Sequence, residues 1–153
     1  MVSRGFTVLL ALLRIAAGAA LIMAGLGKLG WFGNPATLQG IFQKWSASAA
    51  NPLVAKYVAF VTPHVGLFSK LVPLGELGLG ALLVVGFLTP LAALLAFLMT
   101  FNFYFASSQM FTKSFYQAGP CVFLLSLLVI FAGKGGTSLG LDGILAGRKQ
   151  RSQ

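Results

Sequence analysis

Acidic residues are almost missing from this sequence, in which Glu76 and Asp142 stand against 11 lysines and arginines. Charged residues of both signs make up 8% of the chain, whereas a soluble domain usually carries about 25%. Hydrophobic residues make up 58% of it, which is more apolar material than a core of this size can bury. The composition therefore excludes a soluble globular domain and indicates a protein whose surplus apolar surface faces lipid.

Cysteine and histidine occur once each, as Cys121 and His64. The chain alone can form no intramolecular disulfide, no CxxC thiol pair, no zinc cluster and no haem with two histidine ligands. We therefore expect no built-in cofactor and no metal site. Any redox function would need a diffusible electron carrier or a partner protein that supplies the oxidation chemistry.

The excess of basic residues gives a net charge of +9, which in a soluble protein would suggest nucleic-acid binding. Here the lysines and arginines lie mainly between and beyond the apolar runs. Such positions are typical of residues that set membrane topology and contact lipid headgroups. We expect membrane lipids as partners and no nucleic acid.

Four apolar runs predict an all-α integral membrane four-helix bundle, with spans at about 6–27, 65–88, 90–107 and 115–132. Runs of this length can cross a hydrocarbon core of ~30 Å. A long first extramembrane loop, rich in Pro, Gly and Trp, follows the first span and holds a short interfacial or re-entrant helix. Residues 1–147 form one domain and 148–153 a basic tail. A cleaved signal peptide is the alternative for the first run, although Arg14 within it argues against cleavage.

An even number of crossings puts both chain ends on one side of a plasma membrane. Flanking cations are balanced, with five on the side of the ends and five on the loop side: Arg4, Lys134, Arg148, Lys149 and Arg151 against Lys28, Lys44, Lys56, Lys70 and Lys113. The dense cluster near the C-terminal end favours cytoplasmic termini.

Three polar residues fall inside the predicted spans, where an ionisable group is costly and usually paired or functional: Arg14, Glu76 and Asn102. Counted from the Thr89-Pro90 turn, Glu76 and Asn102 both lie ~18 Å deep, and Arg14 lies ~12 Å from the same face. We predict an Arg14–Glu76 ion pair. This pair could be a structural contact that holds two helices together, a ligand or proton site, or both. Asn102 is a ligand residue or an interhelical hydrogen-bonding residue.

Aromatic residues on the third predicted helix lie beside a polar stripe that contains Asn102 and Gln109. With Tyr104, this side could hold a flat ring such as a quinone headgroup. Aromatic stripes are equally typical of packing or lipid contact. His64, at the mouth of the second helix, could relay protons.

Three segments resemble the DoxX-like family, which includes the DoxD-type subunit of thiosulfate:quinone oxidoreductase. They are RIAAGAALIMAGLGKL at 14–29, VPLGELGLGALLVVGFLTPLAA at 72–93 and SLGLDGIL at 138–145. The resemblance implies a compact four-helix membrane protein linked to quinone redox chemistry, with Arg14, Lys28 and Glu76 as residues to test. The uncharged Thr89-Pro90 turn departs from members with a basic residue there.

The preferred hypothesis is a membrane subunit that holds a quinone, with Glu76 exchanging a proton, Arg14 tuning it, and Lys28 and His64 at the outer entrance. A redox partner subunit would do the oxidation. The alternative is a non-enzymatic scaffold or lipophile-binding module, and a homo-oligomer is compatible with either.

Overall fold

Helices account for nearly all of the regular structure in the computed structural model, which describes residues 4–133 and 140–145. Lys134 and the predicted basic tail lie outside these residues. Seven α-helices begin and end within the described residues, and a further helical stretch covers 141–145. The seven are α1 (Arg4–Leu26), α2 (Ala36–Ala47), α3 (Pro52–Val61), α4 (Val65–Val85), α5 (Thr89–Ala106), α6 (Lys113–Gln117) and α7 (Pro120–Ala132).

The all-helical prediction is confirmed, but the four-helix count and the long loop are wrong. The predicted first loop contains α2 as well as α3, which is the short helix expected there, and α6 precedes the last long helix. The prolines that suggested a loop begin helices: Pro35 is the residue before α2, and Pro52 is the first residue of α3. Proline is tolerated there because the first helical N–H groups have no partner within the helix. The Asn51 side chain accepts a hydrogen bond from the Val54 N–H and caps α3.

Three helical stretches among the described residues are long and apolar enough to cross a membrane: Gly5–Leu26, Pro52–Val85 and Thr89–Ala106. The second has 34 residues and would measure ~51 Å as a straight helix, well beyond a hydrocarbon core of ~30 Å. The α4 part alone, with 21 residues, is long enough to cross the core, so the α3 part is not needed for the crossing. The predicted fourth span is represented by α7, which has only 13 residues and a length of ~20 Å.

The four predicted spans correspond to α1, α4, α5 and α7, which pack around one apolar core. Neighbouring pairs are α1 with α4, α4 with α5, and α5 with α7. The core consists mainly of alanine and leucine: Ala17, Leu21, Leu83, Ala92, Ala93, Ala96, Leu127 and Ile130. Alanine on α5 lets its neighbours approach closely, as small residues do in membrane bundles.

A second apolar cluster, here called the aromatic cap, covers one end of the bundle. Its buried members are Trp31, Leu38, Phe42, Val54, Val58, Val61 and Ala106. Trp45 of α2 meets Phe103 of α5 edge to face, with ring centroids 4.8 Å apart. The cap therefore fixes α2 and α3 against the ends of α4 and α5.

The opposite end, here called the turn end, is formed by the tight connection between α4 and α5. Gly86 ends α4 with a φ of 70°, a left-handed conformation that costs glycine little. The last described residues return to this end, since the Asp142 N–H donates to the Gly86 carbonyl at 2.9 Å. Gly133, which follows α7, lies against Leu10 of α1.

Candidate ion-pair site

Glu76, one of the two acidic residues of the chain, is paired with Lys28. The Lys28 Nζ lies 2.5 Å from Oε1 and 2.7 Å from Oε2 of the carboxylate, so it donates to both oxygens. The two side chains are only 18% and 11% exposed. Lys28 follows the end of α1, and Glu76 lies in the middle of α4. The pair therefore joins two neighbouring membrane helices.

Aromatic rings surround the ammonium group of Lys28. Its Nζ lies 5.5 Å from the centroid of the Phe103 ring and 5.8 Å from that of Trp31. A cation within about 6 Å of a ring centroid is attracted by the negative face of the ring. The Ala24 carbonyl accepts a further, longer contact at 3.4 Å. Lys28 is thus held by a carboxylate, a carbonyl and two rings at the base of the aromatic cap.

The ion pair opens onto a cavity of about 260 Å³, here called the ion-pair cavity. Apart from Lys28 and Glu76, its walls are mostly apolar or aromatic and come from α1, α4, α5 and α7: Ala20, Leu21, Ala24, Val72, Met99, Thr100, Phe103, Tyr104 and Phe123. An apolar cavity with a few convergent polar groups is the usual form of a small-molecule site. Sequence reasoning missed Met99, Thr100 and Phe123, because residues of this kind are common throughout the chain.

The predicted contact between Arg14 and Glu76 is not formed. Gly25 of α1 packs beside Glu76, whereas the Arg14 guanidinium lies against Gly86 at the turn end. These positions on α1 are eleven residues apart, or ~16 Å along the helix, which the arginine side chain does not bridge. The prediction placed Arg14 ~12 Å from the membrane face that holds the turn between α4 and α5. In the structure α1 extends past that turn, so Arg14 lies level with it.

Arg14 belongs to a separate polar cluster at the turn end, where it is 1% exposed and in electrostatic contact with Asp142. The Asp142 carboxylate accepts hydrogen bonds from the backbone N–H groups of Leu88 and Thr89, at 2.8 Å and 2.9 Å. A carboxylate at a helix N-terminus satisfies N–H groups that lack a partner. Sequence reasoning missed Asp142, although its rarity as an acidic residue was a signal that could have found it.

The other predicted site residues are dispersed. Tyr104 lines the ion-pair cavity, and its ring meets that of Phe115 edge to face at 5.6 Å. Asn102 donates a hydrogen bond to the Tyr57 hydroxyl and so connects α5 to α3. Gln109 and His64 are exposed and do not line the ion-pair cavity.

The fold and the site define a helical membrane protein with a lysine–glutamate pair inside its bundle. The model of the DoxX family matches residues 9–109, a range that includes both members of the pair. The chain belongs to the DoxX family. No curated protein matches the chain, and no solved structure does.

Proposed function

We propose that this chain is a quinone-linked redox subunit that binds a quinone, or a similar ring-bearing lipophile, in the ion-pair cavity. The observation that carries this proposal is the Lys28–Glu76 pair, which opens onto an apolar and aromatic cavity between membrane helices. Intramembrane charges are costly, and they commonly mark substrate or proton pathways. The resemblance to the DoxD-type subunit of thiosulfate:quinone oxidoreductase supplies the reaction class.

The cavity has a suitable size for a substituted ring. A cavity of about 150 Å³ holds benzene in another protein, and the ion-pair cavity measures about 260 Å³. Phe103, Tyr104 and Phe123 offer aromatic surface, against which a flat ring packs favourably. The Lys28 ammonium is a donor that a ring oxygen can share with Glu76.

The proposed chemistry divides between this chain and a partner. Reduction of a quinone to a quinol adds two electrons and two protons. A partner protein that oxidises its own substrate, of the thiosulfate class, supplies the electrons. Lys28 donates the two protons one after the other to the ring oxygens, and Glu76 takes up each replacement proton from water and passes it to Lys28, since a carboxylate and an ammonium can exchange a proton within one hydrogen-bonded pair. Ligand roles for Asn102, Gln109 and His64 stay predictions outside this cavity.

A non-enzymatic lipophile-binding module is the second candidate. It is favoured by the complete pairing of Glu76, whose two carboxylate oxygens both accept from Lys28 within the chain. Such a pair can hold two helices together and shape a cavity without transferring protons. Binding without turnover would support this candidate.

For orientation, we propose a plasma-membrane protein with its turn end on the cytoplasmic side. Arg14 of α1 and Asp142 of the 140–145 segment both contact Gly86 at the turn end. The basic tail predicted for 148–153 favours the cytoplasm. The ion pair and the aromatic cap then lie toward the outer surface. Reporter fusions in the 107–112 connection and after residue 145 test this placement. We expect the first reporter to lie outside and the second in the cytoplasm, and a cytoplasmic signal from both would contradict it.

The test compares Glu76→Gln and Lys28→Met with Lys70→Met, a control that removes an exposed lysine from the same helix as Glu76. Each variant is purified from membranes, and its bound quinone is extracted and counted. Quinone-dependent turnover is then measured with the natural membrane fraction as the source of the electron-donating partner. We expect both pair variants to lose turnover at least about 100-fold, in the range of lost general acid–base catalysis. The Lys70 variant should keep it.

Folding must be measured on the same samples by circular dichroism. Glu76→Gln that stays folded but no longer turns over supports the proposal. Folded Glu76→Gln with wild-type turnover contradicts a proton role, and absence of quinone from the wild-type protein contradicts the ligand.

A further inference from the structure

A second cavity, here called the seam groove, lies between α1 and the segment that contains α6 and α7. Its volume is about 430 Å³. Residues of α1 form one wall and residues 116–126 the other: Leu13, Ala16, Ala17, Tyr116, Gln117, Gly119, Val122, Phe123 and Ser126. No charged residue is among them.

The seam groove and the ion-pair cavity share one residue, Phe123 of α7. The two cavities also use one face of α1, because their α1 residues recur at helical spacing from Leu13 to Ala24. The helix rises ~16 Å between these two positions, and Lys28 follows shortly after its end. The two cavities therefore follow one another along α1, polar at Lys28 and apolar at Leu13, and Phe123 lines both; together they are here called the path.

The α1 side of this path is shallow and open. Ala16 and Ala20 are exposed, and they line the seam groove and the ion-pair cavity respectively. Alanine leaves space where a leucine would fill it, so the path is accessible from the lipid side of the bundle. The one hydroxyl on α7 in the groove, Ser126 Oγ, donates to the Phe123 carbonyl at 2.7 Å. It therefore needs no partner from a ligand.

We propose that the seam groove holds the apolar tail of the lipophile whose ring occupies the ion-pair cavity. This inference rests on the proposed function and narrows its substrate to amphiphiles with a long hydrocarbon tail, such as prenylated quinones. The ligand enters sideways from the bilayer between α1 and α7. In lipid the tail gains packing contacts rather than removal from water.

The test uses two ligands with the same ring, one with a long prenyl tail and one with a methyl group instead, in detergent micelles with purified full-length protein. Ala16→Trp fills the groove. Ala19→Trp is the matched control, since Ala19 is exposed on α1 but does not line the groove. We expect Ala16→Trp to weaken binding of the tailed ligand about tenfold, a loss of about 1.4 kcal/mol. Binding of the ring-only ligand should stay within about twofold.

A tailed ligand with a photoreactive group at the tail end gives an independent readout. We expect its crosslinks at 13–17 and 122–126, mapped by mass spectrometry. Crosslinks spread over the exposed face of α4 would overturn the groove.

The outcomes separate the two proposals. Failure of the wild-type protein to bind either ligand overturns the proposed function and the groove together. Equal binding of both ligands, unaffected by Ala16→Trp, overturns the groove and leaves the ion-pair cavity standing. Equal weakening by Ala16→Trp and Ala19→Trp also overturns the groove, because the effect would not depend on filling it.

Discussion

The contact between Gly18 of α1 and Gly80 of α4 sets how closely these two helices pack. A Cβ atom built on Gly80 would lie 2.7 Å from the Gly18 carbonyl oxygen, and one on Gly18 would lie 2.7 Å from the Gly80 carbonyl oxygen. Both distances are well below van der Waals contact. A backbone oxygen cannot rotate away as a flexible side chain can, so Gly80→Ala must push the helices apart.

Gly78 provides a matched control on the same helix, because a Cβ atom there meets nothing within 4 Å. Both substitutions replace glycine by alanine inside α4, and each gains about 1 kcal/mol of helix propensity. Overpacking costs about 1–3 kcal/mol and applies to Gly80 alone. The propensity gain cancels in the comparison, so Gly80→Ala should be about 1–3 kcal/mol less stable than Gly78→Ala.

The assay is reversible unfolding in mixed micelles with increasing dodecyl sulfate, followed by circular dichroism. We also expect Gly18→Ala plus Gly80→Ala to cost less than the sum of the single variants, because one separation of the helices accommodates both methyl groups. Equal stability of Gly80→Ala and Gly78→Ala would refute the direct backbone contact between α1 and α4.

Three further outcomes are expected in the same unfolding assay. Asp142→Asn should destabilise the protein by about 1–3 kcal/mol, because it removes the charge from two hydrogen bonds to backbone N–H groups, and an unchanged midpoint would contradict this role. Lys28→Met should destabilise more than Lys28→Met combined with Glu76→Gln, because the single variant leaves a charge without its partner in a low-dielectric site; the reverse order would count against a buried pair. Asn102→Leu and Tyr57→Phe should each cost about 0.5–1.5 kcal/mol and should not add in the double variant, whereas full additivity would show that the two side chains do not interact.

The seam groove and the ion-pair cavity differ in polarity, and the proposed ligand class matches both. The ion-pair cavity offers a charged pair and aromatic rings, and the groove offers uncharged walls. A molecule with a polar ring and a long hydrocarbon tail matches this order along α1. A small water-soluble substrate would leave the groove unused.

The sequence by itself determined that this is a helical membrane protein and that Glu76 lies within its bundle. These properties depend on local composition: long apolar runs require helices in lipid, because each helix satisfies its own backbone hydrogen bonds. The helix α2 was obscured because Pro35 directly precedes it, and proline at a helix start reads in sequence like a loop residue. The short helix predicted within the loop corresponds to α3.

Only the tertiary structure decided which cation pairs with Glu76. Sequence spacing gave the depth of Glu76 below its own turn, but it could not give how far α1 extends past that turn. The close approach of Gly18 to Gly80 sets this register, and it carries Arg14 to the turn end and Lys28 to the carboxylate. Pairing across helices depends on their relative shift along the axis, which is a property of packing and not of either segment alone.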